Sequence, residues 1–141
     1  MQPNQHVEAA NALTRALDQE DYTLAETLLA PDCRYEINDT VMNGRETIIE
    51  SYRLIGDWVK ATFDSYQYSS EVVPRGDDQA IISYRDQIQH GEHELDHRCQ
   101  QIIKAAPDGL IIEIRHVNLP GEPEKVKAFN KACGVSKPKK Q

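Results

Sequence analysis

The sequence predicts an α+β domain, with helices and strands segregated along the chain. Three observations carry this. Val7, Ala10, Leu13 and Leu17 recur at three and four residues, as one face of a helix does, and Ile48, Tyr52, Ile55 and Val59 repeat the pattern. From Phe63 to Leu119 the chain changes to long runs rich in aromatic and β-branched residues, broken by turns that contain Gly76, Gly91 and Gly109. The two kinds of segment do not alternate, which argues against a parallel α/β sheet.

Met1 to Gln5 reads as a polar, frayed end, and the first helix begins at His6. Asp21 is a fair N-cap for a short second helix carrying Tyr22, Ala25, Leu28 and Leu29. Pro31 stops that helix, because it cannot donate a backbone hydrogen bond. Cys33 to Ile37 alternates apolar and charged residues as a half-buried strand does, with Cys33, Tyr35 and Ile37 on one face. Asn38-Asp39 turns into a short return strand, Thr40 to Met42, and Asn43-Gly44 turns again. The third helix follows, with Glu46 in its first turn, where the helix dipole favours a carboxylate. Gly56 weakens this helix without ending it, and Trp58 lies near its end. Four strands are expected next: Phe63 to Val73, Gln79 to Gln89, His93 to Lys104 and Leu110 to Leu119. In the last of them Leu110, Ile112, Ile114, His116 and Asn118 share a face. Glu122-Pro123 opens a final helix, since proline suits the first helical turn. Val126, Phe129 and Cys133 line one side of it, and Gly134 caps it.

A chain of 141 residues, 39% apolar and 28% charged, fits one domain with a real core. We assign residues 1–134 to it and 135–141 to a basic tail. The formal charge of −7 argues against nucleic acid or an anionic membrane as partner, since both need clustered positive charge. Cys33, Cys99 and Cys133 are odd in number and lack CxxC spacing, so free thiols in a reducing compartment are expected. With no apolar leader or membrane-length run, the expected location is the cytoplasm.

His93-Glu94-Leu95-Asp96-His97 matches the HExxH string of zinc hydrolases. On a helix its two histidines share a face and can chelate one ion, with the glutamate as base. Leu95, Cys99, Ile102 and Ala106 do fall at helical spacing. On a strand the histidines stand roughly 13 Å apart, too far to share a metal. The segment sits between two turns, as a meander strand would. The strand is the favoured reading, and no metal or other cofactor is expected.

The order of elements resembles the nuclear transport factor 2-like superfamily, which includes ketosteroid isomerases and the SnoaL-like cyclases. The resembling pieces are Asp18-Gln19-Glu20-Asp21-Tyr22 between two helices, Leu28-Leu29-Ala30-Pro31-Asp32-Cys33 entering a strand, and Asn43-Gly44-Arg45-Glu46-Thr47-Ile48-Ile49 opening the third helix. Gly109-Leu110-Ile111 to His116 looks like the final strand. The resemblance implies a curved antiparallel sheet wrapped by the N-terminal helices into a cone-shaped open barrel of cystatin-like form. It also implies a pocket in the cone and a homodimer through the sheet. Ketosteroid isomerases use a tyrosine on the first helix and an aspartate on the first strand. The matching positions here are Leu13 and, approximately, Ile37 with Glu36 beside it, so steroid-isomerase chemistry is not supported.

The strand pattern sends Tyr35, Tyr84, Asp86, His97, His116 and Asn118 towards one cavity, with Trp58 near its mouth. A histidine can take or give a proton at neutral pH, and a carboxylate beside it can orient it. His97, His116 and Asp86 are therefore the candidate catalytic residues. Tyr35, Tyr84, Asn118 and Trp58 are the candidates for binding a small, largely apolar ligand. The expected chemistry is cofactor-free isomerisation, dehydration or cyclisation. The competing reading is a non-catalytic binding or dimerisation module. In that case the histidines are packing residues, and Asp86 is an exposed strand residue paired with Arg85 or Arg98.

Overall fold

The computed structural model describes residues 4–136. Helix α1 (Gln5–Asp18) is capped by the Asn4 side chain, which accepts from the backbone N–H groups of His6 and Val7. Its buried face carries Ala9, Ala10, Leu13 and Ala16, with Val7 and Leu17 at the margin. Helix α2 (Tyr22–Thr27) takes its N-cap from Asp21, as the sequence predicts.

The end of α2 is different. It stops at Thr27, and Leu29–Ile37 forms β1, so Leu28 and Leu29 lie outside the helix and Pro31 lies within the strand. The cause is long-range pairing. The Leu28 C=O accepts from Ile111 N–H, and Leu29 pairs with Ile111. Pro31 sits in a register shift between Leu29 and Arg34, the kind of break where a strand tolerates proline.

β2 (Thr40–Asn43) returns beside β1, and α3 (Arg45–Thr62) follows. Ile48, Ile49 and Val59 of α3 are buried, but Ile55, placed on the same face by its spacing, is exposed. A Cβ at Gly56 would stand 2.8 Å from the Tyr22 hydroxyl, so a side chain there would have to push the tip of that tyrosine aside. The remaining elements are β3 (Ser65–Arg75), β4 (Gln79–His90), β5 (His93–Ala105), β6 (Ile111–Asn118) and α4 (Glu122–Cys133).

The strands form one open six-stranded sheet in the order β2-β1-β6-β5-β4-β3. It is mixed rather than wholly antiparallel, because β1 and β6 run parallel while all the other pairs are antiparallel. α1 and α3 pack on its inner face. Between them lies the main core, with Leu13, Leu29, Ile48, Ile82, Ile103, Ile111 and Ile114 fully buried. A second cluster of Val59, Phe63, Ile88, Leu95 and Phe129 closes the other end of that face beneath α4.

The phase of β6 also departs from expectation. Ala105 pairs with Ile111 but Lys104 pairs with Glu113, so Ile112 is an extra residue. The bulge turns Ile111 inward, fully buried, and leaves Leu110 and Ile112 only partly buried. From Ile114 onward the expected alternation resumes. At the C-terminus, Val135 is not loose tail: it packs against the second cluster, and its N–H donates to Asn130 C=O. The rest of the basic tail, residues 137–141, lies outside the described residues, as do residues 1–3.

Candidate acid–base site

The site is built by the β4–β5 hairpin. His90 pairs with His93 across the Gly91 turn, and that register places Asp86 directly opposite His97. Ile88 and Leu95, one pair towards the turn on the same inner face, are buried in the second cluster. Tyr84 and Cys99, one pair the other way, lie next to the main core. The Asp86–His97 pair therefore sits on the inner face between two apolar clusters. His97 Nδ1 is 3.5 Å from Asp86 Oδ2, and the side chains are 19% and 28% exposed. Asp86 is paired with neither Arg85 nor Arg98 as its ion partner. Arg85 points to the outer face and makes a two-pronged bond to Asp96, at 3.0 and 2.8 Å.

Next along the sheet, the Tyr84 hydroxyl is buried and has no hydrogen-bond partner among the described residues. Burial raises its pKa well above the ordinary phenol value, with Tyr35, Cys99, Asp18 and Asp86 adding to the effect. The hydroxyl thus stays protonated at neutral pH and can donate. Asp18, at the end of α1, is itself raised by burial.

Tyr35 is placed on the inner face by β1, opposite Ile114. Its hydroxyl is already engaged: Gln101 Nε2 donates to it at 3.0 Å, and Gln101 Oε1 accepts from the Tyr52 hydroxyl at 2.9 Å. His116 lies opposite Gln101, and Asn118 opposite Cys99, so both share the inner face. Asn118 is exposed and donates to Asn38 Oδ1 at 2.6 Å. Trp58 packs edge-on against Phe63 in the second cluster, with ring centroids 5.2 Å apart. The structure thus sets Tyr84, Asp86 and His97 on neighbouring inner-face positions of β4 and β5, places His116 and Asn118 on the β6 side of β5, and engages Tyr35 with Gln101 and Trp58 with Phe63.

Sequence reasoning missed Tyr52 and Glu122. Tyr52 carries a signal, a polar-tipped aromatic on the buried face of a helix. Glu122 carries none, because a glutamate in a first helical turn is ordinarily solvated. Here it is 8% exposed. Burial pushes its pKa up, but Lys125, the Arg98 backbone N–H and His97 together outweigh this and hold it below the usual carboxylate range.

The HELDH string lies in β5, with His93 exposed at the strand's start, so it lacks the helical spacing that HExxH chelation needs. Among the described residues no three His, Cys, Asp or Glu side chains gather closely enough to hold a metal. Two hollows are seen among the described residues, and the larger borders the site, since Tyr84 and Cys99 belong to its lining. One, of about 400 Å³, is a groove on the outer face over Ser69, Ser83, Arg85, Arg98 and Gln100. The other, of about 190 Å³, lies between α2 and α3. Among the described residues no helix is long and apolar enough to cross a membrane.

An open sheet wrapped on one face by helices, in this strand order, is the nuclear transport factor 2-like fold, and structural comparison agrees. The chain is similar to Bal32a from a soil-derived mobile gene cassette, at 18% identity and a TM-score of 0.71, covering 89% of this chain and 95% of the other. It is similar to a candidate polyketide cyclase from Pseudomonas putida, at 14% identity and a TM-score of 0.64, covering 88% and 98%. It is also similar to an LEH-like epoxide hydrolase from Mycobacterium tuberculosis, at 14% identity and a TM-score of 0.62, covering 91% and 93%. At these identities the likeness is one of fold. No family model matches the sequence, and no curated protein does.

Proposed function

We propose that this chain binds a small, largely apolar molecule on the inner face of its sheet and moves a proton on it without a cofactor. The observation that carries the reading is the Asp86–His97 pair set beside the buried, unpartnered Tyr84 hydroxyl. With Nδ1–H directed at Asp86, His97 keeps Nε2 as the proton acceptor. Asp86 holds the ring and stabilises the imidazolium once the proton has moved. Tyr84, roughly 7 Å along the strands, donates to the substrate oxygen on which charge develops. Loss of a proton next to a carbonyl and its return elsewhere gives isomerisation. Loss of the proton with departure of a neighbouring hydroxyl, which takes the proton back from His97 and leaves as water, gives dehydration; addition of the carbanion to a second carbonyl of the same molecule, whose oxygen takes that proton, gives cyclisation. The presence of a candidate polyketide cyclase and an epoxide hydrolase among proteins of the same fold is compatible with this chemistry.

The test needs no known substrate. A panel of small alicyclic and aromatic ketones is screened for thermal stabilisation, and the binders are incubated with the protein in D2O. We expect deuterium to enter next to the carbonyl, His97→Gln to abolish the exchange while ligands still bind, and Tyr84→Phe to weaken binding about tenfold. Binding with no exchange above background would instead make the chain a binding module. That second reading has its own support in the Tyr35–Gln101–Tyr52 chain, whose polar groups satisfy one another. The location we propose is the cytoplasm. We also propose a homodimer through the outer sheet face, checked by light scattering on the eluting protein.

A further inference from the structure

The β5 strand has an unfinished edge. β6 pairs with it only as far as Cys99 opposite Asn118, which leaves His93 to Arg98 without a strand on that side. An unpaired edge of this kind has backbone groups that need partners. α4 supplies them with side chains. Lys125 Nζ donates to the Asp96 C=O at 2.7 Å and is held 3.0 Å from Glu122, one turn back on the same helix. Glu122 is buried there next to the Arg98 N–H.

Below this contact α4 lies over the inner face, with Phe129 buried against the cluster that contains Leu95 and Ile88. Elsewhere the helix is lightly held. Pro123, Glu124, Lys125, Lys127, Ala128, Lys131 and Ala132 are exposed, and Val126 and Cys133 only partly buried. The chain enters through Pro120 and Gly121, with Gly121 at φ 80°, a conformation open to glycine. Its anchors are one buried ring with the partly buried Val126, Cys133 and Val135 beside it, and the Glu122–Lys125 contact with the β5 edge, and a helix with so few buried apolar contacts belongs to the less stable parts of a fold.

We propose that α4 is a hinged cover over the Asp86–His97 site. It swings about Leu119-Pro120-Gly121 while the sheet stays folded, and Lys125 on the β5 edge is its latch. His97 and Cys99 become accessible together when it opens. That this access serves a ligand rests on the function proposed above; the motion itself does not.

Cys99 reports the motion directly. Cys33, fully buried in the main core, is the internal reference for global unfolding, while Cys99 is 7% exposed. Because Cys99 starts slightly more open than Cys33, the change in its rate on releasing the latch is what reads the motion. The full chain carrying Cys133→Ser, so that no adduct forms on α4 itself, is pulsed with N-ethylmaleimide and mapped by peptide mass spectrometry. The expected result is Cys99 labelling at least tenfold faster than Cys33. Adding Lys125→Met, which keeps the alkyl stem and loses the donor, should speed Cys99 about fivefold and leave Cys33 unchanged. Equal rates at the two cysteines would mean that only global unfolding exposes them, and would overturn the proposal. So would a Lys125→Met variant that moves both rates together or neither. No ligand enters the measurement, so failure to find a binder leaves its outcome intact.

Discussion

His6 ties together parts of the chain about a hundred residues apart. Its Nδ1 accepts from the Ala105 N–H at 2.9 Å, and its neighbour Gln5 donates through Nε2 to the Ala105 C=O at 3.1 Å. Ala105 needs this help because it stands where the β5–β6 register shifts and the ladder is interrupted. Removing the acceptor strands a buried N–H. His6→Ala is therefore expected to cost about 1–3 kcal/mol, read as a lower urea midpoint at unchanged slope. Gln5→Ala, on a partly buried group, should cost less. Nothing in the local sequence announces this role. His6 reads as a helix start and Ala105 as the end of a strand, and the bond between them exists only once the sheet and α1 have met. The same holds for Glu122, whose burial depends on where α4 lands. Asp86 and His97 were easier to find, because alternation along two separate strands puts each on the inner face, whereas their standing opposite one another comes from the register across the Gly91 turn.

At the scale of elements, alternation and turn chemistry made the four long strands legible, and their bounds shift by only a residue or two. Two departures share a physical origin. β1 begins earlier than local spacing suggests, and β6 carries a bulge at Ile112, because β1 and β6 must pair with each other and with β5 at once. Pairing across the sheet outweighs the preference of a short segment. The bulge makes a discriminating prediction. Ile111→Ala should cost about 2–5 kcal/mol, as deletion of a fully buried side chain does, whereas Ile112→Ala should cost well under half as much. Equal losses in denaturant titrations would mean that β6 keeps the uninterrupted alternation its sequence displays.

For the molecule as a whole, the inner face is lined with groups that must stay protonated. Burial raises Tyr35, Tyr52 and Tyr84 above the ordinary 10.0, and Cys33 and Cys99 from 9.0 to about 12. Each holds its proton more tightly folded than unfolded. The stability these groups contribute is complete below about pH 9 and is lost as pH rises through 9 to 12 and beyond. Thermal midpoints should fall steeply over that range. Ionisation of these three tyrosines, read by ultraviolet absorbance against variants in which each is replaced by Phe, should coincide with unfolding rather than precede it. Replacing Tyr52 by Phe would remove one such group and flatten the fall, at the cost of the donor that Gln101 Oε1 accepts from. The general architecture was legible in the sequence, since helix and strand patterns are local. The filling of the inner face was not, because whether Tyr35 meets a ligand or Gln101 depends on side chains from three separate elements.

The parallel pairing of β1 with β6 also bears on how the chain is made. On the side away from β2, Tyr35 is paired by Ile114, so the β1–β2 hairpin leaves the ribosome long before the strand that will cover its inner edge. Until β6 arrives, that edge and the apolar side chains Leu29, Cys33 and Tyr35 face solvent or a chaperone. Contacts so distant in sequence close slowly, because the intervening loop must be ordered first. The meander from β3 to β6, whose pairs are all between consecutive strands, is free to form early. Docking of the N-terminal hairpin onto it then becomes the late step, and the stage at which a nascent chain is most exposed to aggregation.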